Sequence, residues 1–336
     1  MIDLNAETAT NHTGHDQKDQ QIRDNNHLPQ IFHSSAQFGL TNQSCSNNKE
    51  NEGIANSTNG EILDRTHFLE KFDAKAYLKD FYTKVDDAAM QMVLIFLPNV
   101  VARFDHAESL LDFGAGPTIH VAVCFRHKVD EIYLADYLPQ NRNELTKWAD
   151  GRCDFDWTAT LKIIDCREGG DCNITTMERE TREKMRGILH CDCHTYPAIE
   201  SAPNGRNKFD IITTFFTLEY CCNTQHEYSE AIRRVTLHLK PGGWLIMGGI
   251  LEETWCSFGG RKFTCLYITR DFMLDCLRQA GMCLKHISDS SYNTEENGDN
   301  EMPPGKNEPC CMFFEVNGMF IVCCRKTIQN EDENSV

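Results

Sequence analysis

Residues 110–120 read LLDFGAGPTIH, an apolar run from Leu110 to Phe113 that breaks into Gly114, Ala115, Gly116 and Pro117 before turning apolar again. A glycine-rich turn after a first strand lets a ligand approach the backbone. An acidic residue about 20 positions on, at the end of the second strand, can then bind ribose hydroxyls. Asp136 stands 20 residues after Gly116, near the end of the apolar run EIYLADY, residues 131–137. The pairing of loop and acid says more than the glycines alone.

The dinucleotide fingerprint asks for a third glycine at position 119, so that a helix packs close and receives a pyrophosphate. This chain has Ile119 behind Pro117. A phosphate site is disfavoured, and an adenosyl ligand without phosphates, S-adenosylmethionine, fits the loop better.

Working outward, strand-like and helix-like pieces alternate. Residues 64–104 read as two helices before the first strand, with Phe68, Leu69 and Phe72 at helical spacing and Tyr77 four residues before Phe81. Residues 139–149 read as a helix with proline in its first turn, 159–166 as strand three, and the near-continuous apolar run 209–216 as strand four, buried on both faces. A helix capped by Thr224 and Glu227 follows, then a fifth strand over 242–251 and a helix ended by Gly281. The last two apolar runs, 282–288 and 312–324, lack a helix between them and are expected as an antiparallel pair. The spacing predicts a doubly wound, Rossmann-like α/β sheet of seven strands, mostly parallel, with an antiparallel last strand and the N-terminal helices as a cap.

Residues 1–64 are rich in Asn, Gln, Ser, Asp and Glu and are expected to form a disordered tail, with a second short tail at 329–336. The catalytic domain is expected over 65–328. Within it, 165–191 read as a charged insertion centred on a solvated helix, TTMERETREKMRGIL, and 289–310 as a mobile loop.

Formal net charge is −17, which disfavours nucleic acid and anionic membrane as partners. The longest apolar stretch, residues 90–101, is too short to span a bilayer. The chain opens MIDLNAETATNHTGHDQ, without a basic start or apolar h-region, so its 17 cysteines are expected as reduced thiols of a cytosolic, monomeric protein. CDCH, residues 191–194, is a metal-like cluster, but no second ligand pair stands at a matching spacing. The doublets 221/222, 310/311 and 323/324 read as small buried hydrophobes, and no metal is expected.

Four ordered blocks, AYLKDFY, LLDFGAGPTIH, DYLPQNRNELTKW and LKPGGWLIMGGILEETW, together resemble the small-molecule amine N-methyltransferases. These are the class I S-adenosylmethionine-dependent family of nicotinamide, phenylethanolamine, indolethylamine and thioether methyltransferases. The resemblance runs from about residue 65 to 327. It implies methyl transfer to the nitrogen of a small amine, with Tyr77 and Tyr82 closing over the methionine part and sulfonium. Gly114, Ala115 and Gly116 would pass beneath it, with Thr118 and His120 near its carboxylate. Asp136, Tyr137 and Asn141 would meet ribose and adenine, Asp192 and Cys193 the adenine edge, and the backbone at Phe215 the cofactor. Glu219 and Glu253 fall where the phenylethanolamine enzyme has its two amine-facing glutamates, with Phe216, Gly249 and Cys265 lining the acceptor.

The chain departs from the family pattern at several places. His120 stands for a tyrosine, Ala115 for a serine, and Phe215 for a small residue. Gly249 lacks the carboxylate with which the nicotinamide enzyme holds its carboxamide, and Cys265 replaces its serine. A protonated aliphatic amine must lose a proton before it can attack, which a carboxylate can take. The two glutamates therefore favour an aliphatic amine over a pyridine nitrogen. Two rivals stand beside this reading: a cofactor-binding pseudoenzyme, and a methyltransferase acting on a macromolecule.

Overall fold

The computed structural model describes residues 61–171, 173–285 and 310–328, all within one unit, Ser57–Val336. Apart from residues 61–64 and 310, the expected tails and mobile loop lie outside the described residues.

In chain order the elements are strand β1 (Ile62–Leu63), helices α1 (Phe68–Lys71), α2 (Ala74–Tyr82) and α3 (Ala88–Val101), and strand β2 (Ala107–Phe113). Next come α4 (His120–Phe125), β3 (Val129–Asp136), α5 (Pro139–Ala149), α6 (Thr158–Glu168), α7 (Ile174–Lys184), β4 (Met185–His190) and β5 (Phe209–Phe215). The chain closes with α8 (Leu218–Cys221), α9 (Gln225–Leu237), β6 (Leu239–Ile250), β7 (Trp255–Phe258), β8 (Arg261–Thr264), α10 (Arg270–Gln279), β9 (Met282–Cys283), β10 (Cys311–Val316) and β11 (Met319–Lys326). A 3₁₀ turn, Arg65–His67, precedes α1.

The large sheet runs β10-β11-β6-β5-β2-β3-β4, with β9 paired to the end of β11. Strands β4, β3, β2, β5 and β6 are parallel, and β11 enters antiparallel between β6 and β10. Period-two alternation builds a core on each face. In β2, Leu110 joins the core formed with α3, α4, α6 and α7, and Leu111 the core formed with α9 and α10; Leu134 and Ala135 of β3 divide the same way. The order reverses between β2 and β5, so the crevice at their carboxyl ends is the switch point where ligands bind in such sheets.

Two expected elements are corrected. Residues 159–166 form α6, not a strand: Thr160, Leu161 and Ile164 are its buried residues, a helical spacing that a short apolar run hides. The third strand of the large sheet in chain order is instead β4, inside the segment read as an insertion. The helix expected there stops at Lys184, and the strand begins at Met185. Gly187 lies in β4 because a Cβ there would crowd Leu189 and Tyr133.

The N-terminal part is also richer than two helices. Ile62 and Leu63, within the expected tail, pair with Lys262 and Phe263, making a separate three-stranded sheet β1-β8-β7. Gly259 and Gly260, both at positive φ, turn β7 into β8; Asn317 and Gly318 do the same between β10 and β11. Both are dipeptides that close two-residue hairpins. The run at 282–288 yields only the two residues of β9, so the antiparallel closure comes mainly from the β10–β11 hairpin. Cys283 and Cys310 are joined as a disulfide, which corrects the expectation of reduced thiols at that pair. Among the described residues no helix is long and apolar enough to cross a membrane.

Candidate active site

The glycine loop folds onto the end of β3. The amides of Gly114 and Ala115 both donate to the Ala135 carbonyl, at 2.8 and 2.9 Å, and that of Gly116 donates to Asp136 Oδ2 at 2.7 Å. Gly114 (φ +76°) and Gly116 (φ +61°) need the left-handed region, and a Cβ on Gly114 would overlap the side chain of Thr217. Thr217 Oγ1 in turn donates to the Gly114 carbonyl at 3.1 Å, tying the loop after β5 to the glycine loop.

Asp136 is buried, and its burial holds its carboxyl above the usual range. Oδ1 accepts from the Leu138 amide (2.8 Å) and the Asn141 side chain (3.1 Å). A carboxylate has about four acceptor positions, so one remains, on Oδ2. Next to it Asn141 Oδ1 is buried without a hydrogen-bond partner. Two acceptors at the end of β3 are therefore left for donors from outside the chain, as a ribose diol would supply. On this observation the residues present fit an adenosyl ligand.

Tyr77, Tyr82, Thr118 and His120 come together as one group. The Tyr82 hydroxyl is hydrogen-bonded with Tyr77 and Thr118 and lies 3.4 Å from His120 Nδ1. Burial lowers the His120 pKa to about 4, so this histidine is neutral at pH 7. Tyr77 also meets Phe258 of the β7–β8 hairpin edge to face, ring centroids 5.3 Å apart.

At the ends of β5 and β6 the backbone is strained, with Phe216 (φ +48°) and Glu252 (φ +59°) in the left-handed region. Phe215, large where the family has a small residue, fits because its register partner is Gly248, where a Cβ would run into the Phe215 ring. Glu219 is 4% exposed, accepts from the Ile250 amide at 3.3 Å, and is pushed up to about 7 by burial. Its carboxylate lies over Gly249, where a Cβ would stand 2.5 Å from Oε1. The space over Gly249 is thus filled by the carboxylate of Glu219.

Cys265 is buried beside Cys256 and Tyr220, and the charges of Glu219 and Glu253 both push the Cys265 thiol up, after burial. Glu253 is half-buried in the turn after β6. Tyr137, by contrast, is exposed and packs on His190 at 5.5 Å. Asp192 caps its own loop through the His194 amide (2.8 Å), and Cys193 faces Cys221 and Cys222.

Sequence reasoning missed four contributors. Asp112, buried in β2, accepts from Thr213 Oγ1 at 2.7 Å and is pushed up to about 7 by burial; an acid inside an apolar strand was the available signal. Phe258 comes with the hairpin that Gly259-Gly260 announces. Thr217 and Tyr220 carry no local sign.

A doubly wound sheet whose switch-point loop leaves acceptors for ribose, under an aromatic cap and beside a buried carboxylate, defines an S-adenosylmethionine-dependent methyltransferase. Residues 60–327 match the NNMT/PNMT/TEMT family, and the chain belongs to it. It is 36% identical over 222 residues to the nicotinamide N-methyltransferase of Caenorhabditis elegans, covering 63% of this chain and 81% of that protein. It is 26% identical over 242 residues to that of Homo sapiens, covering 69% and 91%. To the phenylethanolamine N-methyltransferase of Homo sapiens it is 26% identical over 182 residues, covering 54% and 64%. The reaction is methylation of a small-molecule amine nitrogen from S-adenosylmethionine, as the resemblance implied.

Proposed function

We propose that the acceptor is a primary aliphatic amine, and that Glu219 is the group that takes its proton. The carrying observation is the Glu219 carboxylate, buried over Gly249 with a pKa near 7, where a carboxyl can change state at physiological pH. When bound, S-adenosylmethionine supplies an electrophilic methyl group on a sulfonium. Asp136 and Asn141 would hold its ribose, the glycine loop its backbone-facing side, and Tyr77, Tyr82, Thr118 and His120 its methionine end, with Tyr137, Asp192 and Cys193 toward the adenine.

Glu219 attracts the ammonium form of the acceptor and accepts one proton on a carboxylate oxygen, leaving the nitrogen lone pair free. Glu253, nearer solvent, holds the amine in line, with Phe216, Gly249 and Cys265 beside it. Tyr77, Phe258 and Phe215 keep water out, and positioning of this kind contributes about 7–11 kcal/mol in well-oriented pairs. We also read the protein as a cytosolic monomer. Its net charge supports the absence of nucleic acid partners.

The acceptor reading is tested by offering the purified chain an equimolar panel of primary arylalkylamines, secondary amines and pyridine carboxamides with the donor, and quantifying methylated products by mass spectrometry. Primary amines should exceed pyridines by at least about tenfold in kcat/KM, a discrimination within reach of one buried polar contact. Preference for the pyridine nitrogen would overturn it.

A further inference from the structure

The loop after β4 and the end of α8 bring together Cys193, His194 and Cys222. One ligand atom from each, two thiol sulfurs and an imidazole nitrogen, lies within 4.8 Å of the others. The reason for expecting no metal was the lack of a second ligand pair at a matching spacing. The fold supplies the third donor from 28 residues away, because β4 and β5 end on the same side of the sheet. The Cys193 thiol is hydrogen-bonded with those of both Cys221 and Cys222 and with His194.

We propose that Cys193, His194 and Cys222 form a binding site for a thiophilic divalent ion of the zinc type. Two thiolates and an imidazole favour zinc or cadmium over magnesium or calcium, whose preferred donors are oxygens. Zinc–sulfur and zinc–nitrogen bonds of about 2.3 and 2.0 Å imply donor separations of about 3.4–3.8 Å in a tetrahedron, so the three atoms need close by only about 1 Å. The fourth corner is open to water or to the Cys221 thiol beside Cys193.

His194 is already oriented for the task. Its Nε2 lies 2.9 Å from the Cys221 carbonyl and is also met by Arg65 NH1, so the ring is held between a backbone acceptor and a guanidinium donor. A metal-bound histidine is typically held by such a bond from its other nitrogen. Arg65 NH1 contacts both ring nitrogens, Nδ1 at 3.0 Å, and the same guanidinium bonds the Cys221 carbonyl (3.1 Å) and Glu227 (3.2 Å). An ion on either ring nitrogen requires Arg65 NH1 to leave that nitrogen. On binding, the two thiols lose their protons to solvent and their sulfurs form bonds to the divalent ion, with no change in oxidation state.

The test uses the full chain, reduced, stripped with a chelator and desalted under inert gas. Titration with Co²⁺ alone should show one ion per chain and a thiolate-to-cobalt charge-transfer absorption in the near ultraviolet, displaced by Zn²⁺. Cys193→Ser, Cys222→Ser and His194→Ala should each weaken binding at least about tenfold, and Cys166→Ser, exposed in α6, should not. Absence of the absorption in the native chain, or its survival unchanged in Cys193→Ser and Cys222→Ser, would overturn the proposal. Should a variant fail to fold, alkylation of the native chain with and without Zn²⁺ decides the matter. Protection must fall on Cys193 and Cys222, and protection elsewhere alone refutes the site. None of these readouts depends on methyl transfer.

Discussion

Replacing Glu219 by glutamine keeps the shape of the side chain over Gly249 and removes its ability to accept a proton. Burial raises this carboxyl from 4.5 to about 7, a shift corresponding to about 3 kcal/mol against the charged form. A base of that pKa is about one tenth deprotonated at pH 6 and about nine tenths at pH 8. With a primary amine, kcat/KM should therefore rise about tenfold per pH unit below 7 and level off above it. A second limb, set by the amine itself, lies at higher pH. In Glu219→Gln the limb near 7 should disappear and the plateau fall by about 10²–10⁴, the usual contribution of a positioned base. Affinity for the donor, measured by calorimetry, should change less than threefold, because Asp136 and Asn141, the groups proposed to hold the donor's ribose, are untouched. The assay is product formation by mass spectrometry from pH 5.5 to 9. A variant that keeps the limb near 7, or loses less than about threefold in rate, would remove Glu219 as the proton acceptor.

Gly249→Ala places a methyl 2.5 Å from Glu219 Oε1 and must displace the carboxylate; it should lower amine turnover at least about tenfold while leaving calorimetric donor affinity intact. Asn141→Ala removes the buried unpartnered acceptor and should weaken donor binding by about 1–2 kcal/mol, read as its Kd. Gly114→Ala forces a Cβ into Thr217 at positive φ and should cost about 1–3 kcal/mol in urea unfolding, together with donor binding. Asp112 has a folded pKa raised to about 7, so the native state holds a proton that the unfolded chain loses near pH 4. Its contribution to stability is present below pH 4 and is lost as pH rises to about 7. Relative to Asp112→Asn, the native chain should lose up to about 4 kcal/mol between pH 4 and 8 in urea melts, and no divergence would refute the buried-acid assignment.

The parallel strands around the glycine loop were legible because strands buried on both faces show as near-continuous apolar runs; β5 and the helix at Pro139 follow this rule. β4 was not, because MRGILH is short, half-charged and contains Gly187, while the neighbouring TATLKIIDC carries the apolar residues of a strand on the spacing of a helix. At the site, the loop and Asp136 follow from local spacing, whereas the roles of Glu219 and Gly249 depend on each other across two strands. Glycine at 249 reads as a lost carboxylate until the fold shows Glu219 filling that space. The approach of Cys193 to Cys222 likewise has no local sign, since pairing between β3 and β4, and between β2 and β5, sets their separation.

The small sheet of β1, β7 and β8 shares no strand with the large one, yet its Phe258 forms the wall against Tyr77 and its Cys256 lies beside Tyr220 and Glu219. The glycine loop and the hairpin wall are therefore built on different sheets. Exchange of Cys256 is expected to change the choice of amine, whereas exchange of Phe258 or Phe263, buried against Tyr77 and its aromatic neighbours, should disturb donor binding as well.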